Sequence, residues 1–286
     1  MILTKRDLIL FSKLQSYGFL RTSQIGAMVF AGVNLATVCR RLRTLEAAGY
    51  IKRELKLDGY EIAWSVTYKG GSAIGNLPIK RHFRTDTMEH DFKLTDLRLL
   101  LEGNEIAHSW IPEHEIRSSV AKKRGLRELK HRVVPDGLMG VNYKGSKESV
   151  AIELELQWKN SSRYKKIFEQ YRMKDSIWAV WYLVPTESLG RAIERAWVGI
   201  LYGGPKPKLF WSLVDEVLTE GKTARFFYAG ESHRLCDIWW PKDAAAEATL
   251  PAQGAAQVLS IAKDKGDSSR LRSSDCDDKE KLTPAS

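Results

Sequence analysis

The sequence predicts a mixed α+β / α/β chain: a small helical unit closed by a β-hairpin, then a larger α/β sandwich, then a disordered polar tail. Three observations predict it. Apolar residues recur at helical spacing in three stretches before residue 50, and two β-rich runs follow around Asp58-Gly59. Helical and extended segments then alternate through residues 87–241. From Lys242 onward small, polar and charged residues replace the apolar ones, the composition of a segment that cannot bury a core. The expected divisions are 1–80, 86–241 and 242–286, with a polar junction at KRHFRTD, residues 80–86.

Thr4 is a natural N-cap for the first helix, which sets Leu8, Phe11, Leu14 and Tyr17 on one face and ends at Gly18. Thr22 is expected to cap a second helix, SQIGAMVF, and the short loop AGVN follows. The third helix, residues 34–48, places Leu35, Val38, Leu42, Leu45 and Ala48 at core spacing and turns Arg40, Arg41, Arg43 and Thr44 outward, with Gly49 as its stop. YIKRELKL and YEIAWSVTY then form a hairpin across Asp58-Gly59, with Lys52, Arg53 and Lys56 on or near it. Helix, helix, basic helix, hairpin is the order of a winged helix-turn-helix. Such a unit sets its third helix in the major groove and its hairpin against a phosphate backbone. Thr37, Arg40, Arg41, Arg43, Lys52, Arg53 and Lys56 are the expected contacts to double-stranded DNA.

The charge agrees. Residues 1–85 hold 14 Lys/Arg against 5 Asp/Glu, while the rest of the chain is close to balance, so nearly all of the net +10 sits on this first unit. RRLRTLEAAGYIKRE and VTYKGGSAI resemble winged-helix sequences of prokaryotic regulators.

The second unit is expected to begin with a helix over about 87–102, burying Leu94, Leu97, Leu100 and Leu101. Extended stretches follow at EIAHSWIPEHEI and HRVVPDGLMGVNY, separated by a basic loop, KKRGLRELKHR. Lys122, Lys123 and Arg124 in that loop are expected phosphate contacts; a plain solvated loop is the competing reading. A turn at KGSKE leads into SVAIELELQWKN, pairing with the previous run as an antiparallel hairpin. A helix over about 161–174, the wholly apolar strand IWAVWYLVP, and a helix ESLGRAIERAWVGILY before KLFWSLVDEV complete an α-β-β-β-α-β order. Trp178 and Trp181 lie in apolar runs and belong to the core, whereas Trp158 beside the acidic strand is a candidate for stacking on a base. Trp239-Trp240 before Pro241 should end the folded region.

The chemistry is expected on the hairpin. Strand alternation sends Ile152, Leu154 and Leu156 to one face and Glu153, Glu155 and Gln157 to the other. Asp136, Glu153 and Glu155 could therefore converge, and hard carboxylate oxygens suit Mg²⁺ or Mn²⁺ at a phosphodiester. Lys159 lies one further step along the same face. The competing reading makes Glu153 and Glu155 the solvated face of an amphipathic edge strand.

Several classes are excluded. There is no Walker A, Rossmann glycine turn, HExxH or GxSxG motif. Three widely spaced cysteines give neither a disulfide framework nor a zinc site. No run of 18 apolar residues and no signal sequence is present, so a cytoplasmic chain with no membrane span is expected, and oligomerisation stays open.

Pro135-Asp136, the Glu153/Glu155 strand and the following helix with Lys165, Lys166, Gln170 and Tyr171 resemble the PD-(D/E)XK nuclease superfamily over roughly residues 87–185. The resemblance implies a nuclease-like sandwich with Asp136, Glu153 and Glu155 as metal ligands. It departs at the lysine, expected two residues after the second acid, where Glu155 or Gln157 stands. Lys159 is the candidate substitute. The whole chain resembles the replication-relaxation family of bacterial plasmids and mobile elements. LTKRDLILFSKLQSYGFLRTSQI, CRRLRTLEAAGYIKR, EHDFKLTDLRLLL, VVPDGLMGV and AIELELQWK carry that likeness. It implies accessory work in replication, relaxation or mobilisation, with other plasmid replication or mobilisation proteins as partners. Two alternatives stand beside it: a Mg²⁺-dependent endonuclease using Asp136, Glu153, Glu155 and Lys159, and a winged-helix transcriptional repressor.

Overall fold

The computed structural model describes residues 1–57, 61–75, 87–200 and 207–239. The Asp58-Gly59 turn, the 80–86 junction, Trp240 and the tail from 242 lie outside the described residues.

α1 (Lys5–Tyr17) opens with a capping box: Thr4 and Asp7 exchange hydrogen bonds, and Gly18 at φ 81° closes the helix. Its buried face is Asp7, Leu10, Phe11, Leu14, Gln15 and Tyr17, so Leu10 occupies the core place expected of Leu8, which is 37% exposed. β1 (Leu20–Arg21) leads directly into α2 (Thr22–Val29). Thr22 is the first residue of that helix rather than its cap. The Gln24 side chain instead accepts from the Arg21 backbone N–H, and the Thr22 hydroxyl accepts from the indole of Trp64 at 3.0 Å. α3 (Leu35–Ala47) starts at Asn34, whose side chain accepts from Ala36 N–H. It buries Val38, Leu42 and Leu45, while Leu35 is 48% exposed. β2 (Ile51–Lys56) and β3 (Ile62–Val66) pair antiparallel, and β1 adds to β3, making the three-stranded sheet β1-β3-β2 that closes a winged helix-turn-helix. α4 (Tyr68–Ala73) follows. A Cβ on its Gly70 would stand 2.3 Å from the Tyr50 carbonyl oxygen, so the chain crosses there on a glycine.

α5 (Met88–Gly103) begins the second half, and β4 (Ser109–Pro112) follows it. The expected long extended run stops at Pro112, and EHEIRSSVAKKR is instead α6 (Glu113–Arg124). The expected basic loop is the last turn of α6 and a second helix, α7 (Leu126–His131), hinged at Gly125. Neither helix buries a residue. β5 (Gly137–Tyr143), β6 (Ser146–Leu154), α8 (Ser161–Arg172), β7 (Ala179–Val184), α9 (Glu187–Val198), β8 (Lys208–Leu213), α10 (Val214–Glu220), β9 (Arg225–Tyr228), β10 (Glu231–Arg234) and α11 (Leu235–Trp239) complete the chain.

The larger sheet runs β10-β9-β8-β7-β6-β5-β4. β4, β5 and β6 form an antiparallel meander, and β7 lies parallel to β6. With α5 before and α8 within, this is the expected α-β-β-β-α-β order of an α/β sandwich, with α6 and α7 inserted between the first two strands. One face packs Ile152, Leu154, Trp181 and Phe210 against Leu97 and Leu101 of α5 and Val214 and Val217 of α10. The other packs Ala151, Tyr182 and Trp211 against Tyr164, Phe168 and Tyr171 of α8 and Trp197 of α9. Burial on both faces explains why β7 is apolar throughout.

Candidate acidic site at the sheet edge

Sheet direction decides what meets at one edge. β4 ends, β5 begins, and β6 and β7 end on the same side, so the loops around Pro112, Asp136, Leu156 and Pro185 share one rim. The register ends with Gly137 paired to Ile152, and Asp136, just before β5, bonds to the β6 backbone on either side of Glu153. Asp136 ends the ladder in an unusual way. Its N–H donates to the Ile152 carbonyl at 3.1 Å, and its own carbonyl accepts from Glu113 N–H at the base of α6 at 3.2 Å. Its carboxylate Oδ2, in turn, accepts from Leu154 N–H at 2.8 Å. A second ionised carboxylate this close to Asp136 is unfavourable, so the neighbour must take up a proton or a cation.

Glu153 is covered by α8 and accepts from the Tyr171 hydroxyl. Burial, and then the Asp136 charge, push its carboxyl up to about 8. Glu155 is 5% exposed, and its N–H donates to Leu183 O at 2.9 Å. Burial raises its pKa, opposed by Lys159. β6 is an interior strand between β5 and β7, so the solvated edge-strand reading of Glu153 and Glu155 is overturned. Lys159 lies beyond the strand, in the loop before α8, and bends back so that its Nζ meets Glu155 Oε2. It reaches the acids from the loop, not by strand alternation.

Five further side chains surround these acids, of which the sequence named only Gln170 and Tyr171, in the superfamily likeness. His90 on α5 lies 3.2 Å from Asp136 Oδ2 through Nε2 and 3.6 Å from Asp91 through Nδ1. Burial would lower its pKa, but the hydrogen bonds to Asp136 and Asp91 dominate and lift it to about 10, so the ring is an imidazolium. Tyr164 packs beside Glu155, and burial with that charge holds its phenol well above the usual range. Tyr171 is likewise held protonated by burial and by Glu153. Lys174 donates to Val133 O at 2.8 Å, and Gln170 accepts from Val133 N–H at 2.6 Å, so the end of α8 and the residues just after it clamp the segment leading to Pro135-Asp136. His90 and Tyr171 lie 46 and 18 positions from their acid partners and on separate helices. Tyr171 appears in the superfamily likeness, but no local pattern pairs it with Glu153.

Among the described residues no three His, Cys, Asp or Glu side chains come together as a ready cation cage. Mg²⁺ asks for less, since one or two carboxylates and waters suffice. Asp136 and Glu153 could supply them: both are hard oxygen donors, and the Asp136 charge disfavours a second bare carboxylate at Glu153.

The expected DNA-contacting residues separate into groups. Thr37, Arg40 and Arg43 share the exposed face of α3. Arg41 is turned inward, its Nε donating to Asp7 at 2.9 Å and its Nη2 pairing with the same carboxylate. On the hairpin, Lys52 pairs with Glu54 at 2.8 Å and Arg53 with Glu46 at 2.7 Å, while Lys56 is exposed. Lys122, Lys123 and Arg124 are exposed on the last turn of α6, whose first residue bonds to Asp136. The described residues include no helix long and apolar enough to cross a membrane.

No family model matches the sequence, and neither does any curated protein. Among solved structures, the chain is similar to that of restriction endonuclease FokI at 13% identity and a TM-score of 0.23, over 75% of this chain. It spans 43% of that chain's length. A likeness this slight bears on neither fold nor chemistry.

Proposed function

We propose that the chain binds double-stranded DNA through α3 and the β2–β3 hairpin and hydrolyses a phosphodiester at Asp136 and Glu153 with the help of a divalent cation. The observation that carries this is the bonding of Asp136 to the backbone on either side of the half-buried Glu153, whose carboxyl is pushed up by burial and by the Asp136 charge. A fold gains nothing in stability from such a pair, and strongly perturbed carboxylates mark functional sites. Bound there, Mg²⁺ or Mn²⁺ would supply a Lewis acid and a water ionised at neutral pH. The chain's own groups do the rest. Tyr171 orients Glu153, His90 and Leu154 N–H orient Asp136, and Lys159 offers positive charge beside Glu155. The α6–α7 arm brings Lys122, Lys123 and Arg124 to the phosphates flanking the site.

The test is supercoiled plasmid incubated with Mg²⁺ or Mn²⁺ against EDTA, with Asp136→Asn and Glu153→Gln in parallel. Nicking that needs the metal and is lost in both variants is the expected result. Intact plasmid in every lane, with a gel shift that persists, would overturn the hydrolytic role.

One observation favours that second reading, a DNA-binding accessory protein with a silent site. The position two residues after Glu153 is another acid, and it holds Lys159 to itself. Work in replication, relaxation or mobilisation of a mobile element, alongside other proteins of that element, is the role the whole-chain resemblance supports.

A further inference from the structure

At the β6–β7 end of the same rim lies an open groove of about 380 Å³, lined by Leu156, Trp158, Pro185, Leu189 and Ala192, with Gln157, Thr186 and Ser188 at its polar margin. We infer that this groove takes an unpaired DNA nucleobase stacked on Trp158. The inference rests on the reading of the rim as a DNA-contacting site and adds a subsite to it.

Three features support this occupant. Trp158 is 46% exposed, although the other large aromatic side chains of this half are mostly interior. Its ring rests on Tyr164 with centroids 4.5 Å apart, so it is held in place at the surface instead of moving freely. A fixed, exposed indole is a stacking platform that accepts any base, because every base has a π-face. The second feature is continuity. Tyr164 also packs beside Glu155, and Lys159 follows Trp158 directly, so the groove neighbours the acidic cluster. The third is charge. From Gln157 to Phe168 the chain carries Lys159, Arg163, Lys165 and Lys166 and no acid, and the last three are exposed on α8. A backbone phosphate next to a stacked base would meet that stretch. The floor is apolar, and the margin carries an amide and two hydroxyls. That combination suits a flat heterocycle with polar edges better than a purely apolar ligand.

The experiment is the binding of a fluorescein-labelled thymidine oligonucleotide of about 15 nucleotides, and of a duplex of mixed sequence, to the full chain in EDTA. Fluorescence anisotropy reads both. Stacking on one aromatic is worth about 1–3 kcal/mol by alanine substitution. Trp158→Ala should therefore weaken single-strand binding by roughly 5- to 150-fold, leave duplex binding within about threefold, and leave the far-ultraviolet circular dichroism unchanged. Trp158→Phe should recover most of the single-strand affinity. Equal single-strand affinity in wild type and Trp158→Ala overturns the subsite, as does a parallel loss on duplex. Because no cleavage is measured, failure here is separate from failure of the hydrolytic site.

Discussion

Arg40, Arg41 and Arg43 look alike in the sequence, and only their surroundings separate them. Arg41 is spent on Asp7, which is 1% exposed beneath it. Removing one partner of such a pair strands the other, so Arg41→Ala should cost about 2–4 kcal/mol in urea denaturation. An unchanged midpoint would contradict the pairing. The same pair sets an acid limb. Burial would raise the Asp7 carboxyl, but its hydrogen bonds from Arg41 and Thr4 outweigh that and hold it below the ordinary value. A depressed folded pKa means the contribution is complete above the usual carboxylate range and is lost as pH falls through the folded value. Stability should therefore fall below about pH 4, and less steeply in Asp7→Asn. An identical acid limb in that variant would assign the loss to other groups. At the acidic site the residues were legible unevenly. Asp136, Glu153 and Glu155 follow from counting along one hairpin. His90 does not, because it arrives from a helix that only the folded chain brings near.

At the scale of elements, legibility followed burial. α3 shows a clean stripe because Val38, Leu42 and Leu45 must face the core, and that leaves Thr37, Arg40 and Arg43 on the far side. α6 and α7 bury nothing, so no apolar period exists to read, and only their basic charge was visible. The β4-to-β5 connection was legible as composition and illegible as structure for that reason. If the exposed face of α3 meets phosphate or base edges, Arg40→Ala combined with Arg43→Ala should lower duplex affinity. It should also flatten the slope of log K against log salt by up to about two, close to one for each lost phosphate contact. Anisotropy titrations from low to moderate salt check this. A slope that does not change would remove α3 from the interface. Fold stability should stay near wild type, in contrast to Arg41→Ala.

The whole molecule is joined by contacts that no stretch of sequence announces. Arg98, 7% exposed on α5, donates to Glu102 at 2.8 Å, to Ser16 O at 2.6 Å and to Ser16 Oγ at 2.8 Å. Its guanidinium lies 3.9 Å from the Tyr17 ring centroid, and the Tyr17 hydroxyl donates to Glu102. Around it Arg21 pairs with Asp96, Gln24 donates to Asp96 at 2.7 Å, and Phe19 meets Phe92 edge-on at 5.0 Å. These contacts tie α1, β1 and α2 to α5, the helix that also carries His90 to Asp136. A seam this polar yet this enclosed holds only if every partner is present, since each buried group it leaves unpaired costs about 1–3 kcal/mol. With the seam intact, the winged helix and the sandwich should unfold together, and a scanning calorimeter should record one transition. Arg98→Ala leaves the Ser16 carbonyl without its side-chain donor, leaves Glu102 its charge with only the Tyr17 hydroxyl to meet it, and takes the cation off Tyr17. The expected trace then splits into two, with the larger enthalpy in the half holding the seven-stranded sheet, because unfolding enthalpy scales with the number of residues. A single sharp transition in that variant would show that the two halves are coupled through something other than this seam.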